Sequence, residues 1–393
     1  MRLGVYTDYV YRRIDGVIYA ERAFALFLAG LREHVEQLSL IGRLARDTEQ
    51  AHYALPPGIE LAPLQYYGSL ANPVVVLKAL VASLHGMWTA LDEIDVAWIL
   101  GPYPHAIVLV ILALARRRTV VLGVRQDWPR YVRMRRPQRR WMHWAADALE
   151  LVWHAFARRL PVVAVGAELT AKYAHAPSVL DLAVSLVPAS VVQREAALTP
   201  RDYDDELRVV SVGRLEQEKN PLLLAEVIAL LRARDPRWRL LVCGEGDLST
   251  ALADRLTSLG VAEHADLFGY VPMGDTLLSI YRESHAMLHV SWTEGFPQVL
   301  IEAFATALPV VATAVGGVPA GVGDAALLIR PGDPRAAAEA LLRIASEPDL
   351  RDRLTRAGVR RAGGLTLEAQ TERLAAFLHA QENRAARSAR TRS

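Results

Sequence analysis

The chain has 393 residues, 52% hydrophobic and 22% charged, a composition that excludes a disordered or fibrous chain and points, at this length, to two domains of about 150–200 residues. A net charge of +2 excludes a polyanion or polycation, and a single cysteine, Cys243, excludes an internal disulfide and a thiolate zinc cluster. The opening MRLGVYTDYV carries no apolar leader, and the run Ala106–Ala115 is about half of what a membrane-spanning helix needs, so a cytoplasmic chain is expected.

In chain order, Leu3–Thr7 reads as a first strand and YAERAFALFLAGLREH, after Gly16, as an amphipathic helix. DVAWIL, the apolar run from Ala106, RTVVLGV, PVVAVG, AELTAKYA and AVSLVPAS continue the alternation of strand and helix, the pattern of a parallel sheet covered on both faces. The polar stretch LTPRDYDDE breaks it and sets a domain boundary. A second series follows: strands LRVVSVGRL, WRLLVCGEG, ADLFGYV, AMLHVS and PVVATAV alternate with helices PLLLAEVIALLRARD, LSTALADRLTSLG, MGDTLLSIYRES and FPQVLIEAFATA. The expected organisation is an N-terminal domain over 1–197, a C-terminal domain over 198–366, a closing helix over 367–383 that packs back on the first domain, and a disordered Arg-rich tail over 384–393.

In such open sheets ligands bind beyond the carboxyl ends of the strands. Three loops of the second half lie there. In SVGRLEQEKNP, Gly213 ends a strand, and Arg214 and Lys219 place two cations near the next helix start, which suits a diphosphate or an ordinary solvated loop. In CGEGD, Gly244 lets a backbone approach a ligand or simply makes a tight turn. In SWTEGFPQVLIEAFA, Glu294 and Glu302 stand eight positions apart, a little over two helical turns if the helix starts near Phe296. If buried among its apolar neighbours, Glu302 needs a polar partner such as sugar or ribose hydroxyls; the alternatives are a surface-facing side chain or pairing with a neighbouring arginine.

The ordered motifs VGRLEQEKNP, GEGD, FGYVP, EGFPQVLIE and LPVVATAVGGVP followed by IRPGD make the chain similar to the retaining glycosyltransferase family 4. The resemblance is dense from Val209 to Pro334. It implies an α/β GT-B fold of two Rossmann-like doubly wound domains facing a cleft, the first binding acceptor and the second a nucleotide sugar. It further implies that Arg214 and Lys219 neutralise the donor diphosphate, Glu294 holds sugar hydroxyls and Glu302 the ribose. By the same resemblance Tyr270 and Val271 meet the base, and backbone amides at Gly295 and Phe296 complete the phosphate cradle. Pro297 has no N–H to offer. Leu308 and Ala320 depart from the family's usual glycine and acid, and PASVVQRE replaces its usual turn at the end of the first half.

The family's cleft histidine finds a candidate in His105 of GPYPHAI, with a packed structural histidine as the alternative. Arg125 and Asp127 in GVRQDWP either bind acceptor or pair with each other, and Asp15 and Gly16 are further acceptor-side candidates. Ten arginines between Arg116 and Arg140 face one acid, Asp127, and Trp141, Trp144 and Trp153 follow. That composition suits peripheral contact with an anionic membrane through Arg116–Trp153, or a solvated arginine-rich face over core tryptophans. No nucleic-acid reader motif accompanies it.

The implied reaction is retaining transfer of a hexose-type sugar to an acceptor hydroxyl, as in glycan or cell-envelope polysaccharide synthesis. His105, Arg214, Lys219 and Glu294 form the expected catalytic set, with no cofactor and no metal. The alternatives are a nucleotide-sugar epimerase of similar fold and a catalytically idle binding or scaffold protein.

Overall fold

The computed structural model describes residues 1–45, 52–195 and 201–390. The chain forms two compact units: Met1–Val184 with Glu368–Ser393, and Ser185–Leu367. The expected boundary at 197/198 lies outside the described residues. The division at 184/185 assigns the preceding segment to the second unit.

Unit 1 contains strands β1 (Arg2–Ile14), β2 (Val17–Ala20), β3 (Gln37–Leu44), β4 (Tyr53–Ala54), β5 (Ile59–Gln65), β6 (Val96–Gly101), β7 (Thr119–Val124), β8 (Val162–Val165) and β9 (Val179–Leu182). Parallel pairing gives the order β5-β3-β1-β6-β7-β8-β9. Near-continuous apolar strands such as VAWIL in β6 are buried end to end, as a sheet covered on both faces requires. The connecting helices are α1 (Phe24–Gly30), α2 (Pro73–Ala90), α3 (Pro104–Ala115), α4 (Trp128–Arg135), α5 (Arg140–Ala157) and α6 (Ala167–Lys172). Asn72 caps α2 by accepting from the Val75 amide at 3.3 Å, ahead of Pro73 in the first turn.

Several local expectations are corrected here. β1 does not stop at Thr7: it continues to Ile14 and turns back into β2 as an antiparallel hairpin, with Ile14 opposite Val17. The helix expected from Tyr19 begins only at Phe24, because Val17–Ala20 is that return strand. The last strand of unit 1 ends at Leu182 rather than running through AVSLVPAS.

By length and composition α2 is long and apolar enough to cross a membrane, and it is the one such helix among the described residues. Lys78, Ser83 and His85 interrupt its apolar residues, so no long run shows in the sequence. It is nonetheless a crossover helix whose Val76, Ala79, Ser83 and Met87 are buried.

Unit 2 opens with α7 (Ala189–Glu195) and continues with β10 (Leu207–Val212), α8 (Leu222–Arg232), β11 (Trp238–Cys243), α9 (Ser249–Ser258), β12 (Ala265–Gly269), α10 (Asp275–Glu283), β13 (Ala286–His289), α11 (Gln298–Ala305), β14 (Val310–Thr313), α12 (Val318–Val322), β15 (Ala326–Ile329), α13 (Pro334–Ser346) and α14 (Pro348–Gly363). The parallel order is β12-β11-β10-β13-β14-β15. Counted within the unit this is 3-2-1-4-5-6, with the chain reversing direction across the sheet between β10 and β13. α8, α13 and the inner strands close a core around Ile228, Trp238, Leu288 and Leu341.

The closing helix α15 runs Leu367–Arg390 and belongs to unit 1. Gln370 accepts from the Ala183 amide at 3.1 Å, Arg373 donates to the Asp181 carbonyl at 3.2 Å, and His379 Nε2 lies 3.1 Å from the His34 carbonyl. The tail from 384 was expected to be disordered. Residues 384–390 instead continue the helix, since Ala and Arg are strong helix formers, and 391–393 lie outside the described residues.

Candidate functional site

The junction of β10 and β13 is where a doubly wound sheet opens a crevice at its carboxyl edge, and the two loops that flank it carry Arg214, Lys219 and Glu294. The loop after β10 holds Gly213, Arg214 and Lys219, and ends on Asn220 in the left-handed region (φ 53°) before α8. The loop after β13 holds Ser291, Trp292 and Glu294. The Trp292 amide donates to the Glu218 carbonyl at 2.9 Å, and Thr313 at the end of β14 donates to the Ser291 carbonyl at 2.8 Å. Both loops are thereby tied to the sheet.

Glu294 is the centre of this arrangement. Its Oε1 accepts from Lys219 Nζ and from Ser291 Oγ at 2.8 Å, and lies 3.1 Å from His289 Nε2. Burial pushes the carboxyl upward, but the Lys219 charge and the His289 contact outweigh it and hold the group down at about 2. Glu294 is therefore an ionised acceptor throughout the physiological range. Arg214, the second cation, pairs with Glu218 at 2.9 Å and with Glu216, so any incoming anion competes with two carboxylates for it. His289 and Ser291 were not singled out in the sequence. Their signal was position alone, at the end of the strand that leads into Glu294.

Glu302 lies inside α11, 5% exposed, and accepts from Tyr281 of α10 at 2.8 Å. Neither the surface position nor the arginine partner occurs: Tyr281 supplies the polar contact. Burial raises Glu302 to about 7, with the Tyr281 bond working against it. α11 starts at Gln298 rather than near Phe296, with Pro297 extended before it (ψ 129°). Gly295 and Phe296 therefore form a turn ahead of the helix. Gly317 fits against that turn: a Cβ there would meet the Gly295 carbonyl oxygen at 2.0 Å, and its amide donates to the Glu294 carbonyl at 3.2 Å.

Gly244 is required by packing between loops. A Cβ on it would meet the Gly213 carbonyl oxygen at 1.8 Å, and its amide donates to the Gly269 carbonyl at 2.7 Å. The close approach observed at Gly244 is to the backbone of the neighbouring loop. Tyr270 and Val271 directly follow edge strand β12, with Tyr270 exposed.

In unit 1 the sequence candidates are placed differently from expectation. His105 is fully buried in the first turn of α3, its ring stacked on Tyr67 at 5.0 Å between centroids. Burial, and then the Arg43 charge, lower its pKa to about 4. Stacking and burial fit the packed reading of the two, while both ring nitrogens are buried without a hydrogen-bond partner among the described residues. Asp15 and Gly16 both have positive φ (50° and 81°) and form the exposed two-residue turn of the β1–β2 hairpin, which accounts for both residues without an acceptor. Arg125 and Asp127 do not pair. Asp127 caps α4 through the Arg130 amide at 3.0 Å and binds Lys172 at 2.9 Å. Arg125 lies over the Phe24 ring at 3.7 Å, donates to Tyr9, and is lowered to about 10 by burial.

A polar cluster that the sequence did not reveal sits at the irregularity of β1 between Tyr6 and Val10. Asp8 accepts from Tyr67 and Tyr6 and pairs with Arg43 at 3.5 Å. Trp153, read as either a membrane-facing or a core tryptophan, is a core residue, fully buried against Gly101. Among the described residues no group of three or more His, Cys, Asp or Glu could hold a metal ion.

Two doubly wound parallel sheets, one with a lysine–carboxylate pair at its switch point, define a GT-B glycosyltransferase fold. The chain superposes on sucrose-phosphate synthase from Thermosynechococcus elongatus with a TM-score of 0.72 at 16% identity, covering 96% of this chain and 98% of that one. Its likeness to Anabaena Alr3699/HepE, solved in complex with UDP and glucose, has a TM-score of 0.67 at 17% identity over 96% and 99% of the two chains. Residues 196–361, less than half of the chain, match Glycosyl transferases group 1. The chain is 36% identical over 197 residues to D-inositol 3-phosphate glycosyltransferase of Actinosynnema mirum, covering 47% of this chain and 46% of that protein. It is 32% identical over 137 residues to the gpi3 subunit of phosphatidylinositol N-acetylglucosaminyltransferase of Schizosaccharomyces pombe, covering 35% and 30%. The chain thus spans about half, or less, of the length of these relatives.

Proposed function

We propose that the chain is a glycosyltransferase that moves a sugar from a nucleotide-sugar donor to an acceptor hydroxyl with retention at the anomeric carbon. The observation that carries this reading is the Lys219–Glu294 pair at the β10/β13 switch point. A bound diphosphate draws Lys219 and Arg214 toward itself, and both cations stabilise the charge that grows on the leaving phosphate. The amides of Gly295 and Phe296 add donors to the same group. Glu294, released from Lys219, accepts from sugar hydroxyls. Glu302 accepts from the ribose, and Tyr270 and Val271 border the base. With two cations already at the phosphate the reaction requires no metal and no further cofactor. That a similarly folded protein binds UDP and glucose supports a uridine nucleotide as the first donor to try.

The acceptor reading is a glycan or lipid-linked hydroxyl compound at the cytoplasmic face of the membrane, supported by the basic segment from Arg116. The test is a thermal-shift panel of UDP-, GDP- and ADP-sugars on the wild type and Lys219→Ala. A ligand at a hundred times its dissociation constant stabilises by about 2.7 kcal/mol, so a shift with one donor that is lost in the variant supports the site. No shift with any donor sinks it. NMR of the transferred anomeric centre then decides retention.

A further inference from the structure

Helices α2, α3 and α5 each lie on a crossover between parallel strands of unit 1, and they neighbour one another in that order. Their inner faces are buried. A helix whose outer face meets water carries polar residues there; these helices expose a few, Lys78, His85, Thr89 and Asp147 among them, beside a much larger set of apolar side chains. Along α2, Val74, Leu77, Val81, Leu84 and Trp88 are all exposed, Val81 by 61%, at spacings of three and four that place them in one stripe. α5 exposes Trp141, Trp144 (70%) and Leu151 (72%), and α3 adds Ile111 and Leu114. Contiguous exposure on this scale marks an interaction surface.

Between the N-terminal ends of these helices lies a cavity of about 260 Å³ whose lining residues are all apolar, among them Leu70, Pro73, Leu77, Trp128, Trp141 and Leu149. Because Pro104, the first residue of α3, also lines it, the cavity sits at the carboxyl edge of the unit 1 sheet, where doubly wound sheets bind ligands.

The charge around this face is one-sided. Residues 73–159 hold thirteen Lys and Arg against six Asp and Glu, in a chain whose whole net charge is +2. The exposed arginines bracket the apolar stripes: Arg135, Arg136, Arg139 and Arg140 at the α4–α5 end, Arg117, Arg158 and Arg159 at the other. A second copy of this chain is a poor occupant, because two-fold self-association in either orientation sets arginine against arginine. An anionic bilayer matches every part: phosphates for the arginines, the headgroup boundary for exposed indoles, and acyl chains for the stripes.

We propose that the outer face of α2, α3 and α5 is a docking surface for an anionic lipid bilayer, with one acyl chain seated in the cavity. The proposal deepens the membrane-contact part of the glycosyltransferase reading. It moves the contact from the Arg116–Trp153 segment, whose Trp153 is buried, to a three-helix face that includes α2.

The experiment is co-sedimentation of the full chain with phosphatidylcholine vesicles with and without phosphatidylglycerol, for wild type and Val81→Asp/Leu151→Asp. The expected result is binding to the anionic vesicles that weakens with salt and falls at least tenfold in the double variant. Melting temperature and nucleotide-sugar shift should be unchanged, since both positions are exposed. Phosphatidylglycerol with brominated acyl chains should quench tryptophan fluorescence, and Ala145→Leu, which fills the cavity, should lower that quenching while sedimentation persists. Equal vesicle binding by wild type and double variant overturns the surface. So does a wild-type dimer, seen by sedimentation equilibrium, that Val81→Asp dissolves. Unchanged quenching in Ala145→Leu overturns the chain seat. Vesicle binding without any nucleotide-sugar shift would instead defeat the glycosyltransferase reading and leave the surface standing.

Discussion

Lys219 and Glu294, 75 residues apart in sequence, form an ion pair between the loop after β10 and the loop after β13. Each charge holds the other in an environment that water reaches poorly, so removing the lysine leaves a carboxylate buried with only His289 and Ser291 beside it. Lys219→Ala is expected to lower unfolding free energy by about 2–3 kcal/mol and transfer rate by about 10²–10³-fold. Adding Glu294→Gln should restore much of the stability and none of the rate. Denaturant melts paired with donor-turnover assays separate the two, and a double variant that recovers activity would remove both residues from the reaction.

The two glutamates give opposite pH signatures. Glu294 is held at about 2, below its ordinary 4.5, so its contribution is present above pH 4.5 and is lost as pH falls toward 2. Glu302 is raised to about 7, so the native state favours its protonated form. Its contribution is complete below pH 4.5 and is lost as pH rises through 7. Glu302→Gln should therefore match the wild type near pH 5 and exceed it by about 2 kcal/mol at pH 8, while weakening nucleotide binding about tenfold. Chemical denaturation at the two pH values checks the first half. A variant no more stable than wild type at pH 8 would show that Glu302 ionises freely.

Gly317 faces the Gly295 carbonyl with no room for a Cβ. Gly317→Ala must displace the Gly295–Phe296 turn, whose amides are assigned to the phosphate. The expected outcome is a loss of about 1–3 kcal/mol in stability together with a weaker nucleotide-sugar shift. Full binding in a destabilised variant would separate the turn from the donor.

What could be read before the structure follows from how locally each feature is encoded. The strands of unit 2 are short apolar runs ended by glycine or charge, and their loops announce themselves, so Arg214, Lys219, Glu294 and Glu302 could be named as candidates. Their partners could not: Tyr281 reaches Glu302 from another helix, and His289 differs from a core histidine only through the fold. The Asp8–Arg43–Tyr67 cluster joins the middle of β1, the end of β3 and the segment after β5, which no spacing connects. The Asp15–Gly16 dipeptide is a hairpin signal, but the early glycine of a βα turn looks the same until β2 is seen to return. The stripe of α2 escaped because hydrophobic spacing alone does not say whether an apolar face points into the core or away from it.

His105 offers the sharpest contrast between resemblance and packing. Its ring lies against Tyr67, away from solvent, and is lowered to about 4. With the folded value below the ordinary 6.5, the ring's contribution to stability is present above pH 6.5 and is lost as pH falls toward 4, where the unfolded chain gains a proton that the native ring refuses. His105→Phe keeps a flat ring against Tyr67 and removes the titration. It should be at least as stable as wild type at pH 5, bind nucleotide sugar unchanged, and keep its transfer rate within a few-fold. His105→Ala should lose about 1–3 kcal/mol by leaving a cavity. Melts at pH 5 and 7.5 with a rate measurement on each variant decide the matter: a hundredfold loss of rate in a stable His105→Phe protein would return the histidine to the catalytic set, because packing alone cannot produce it.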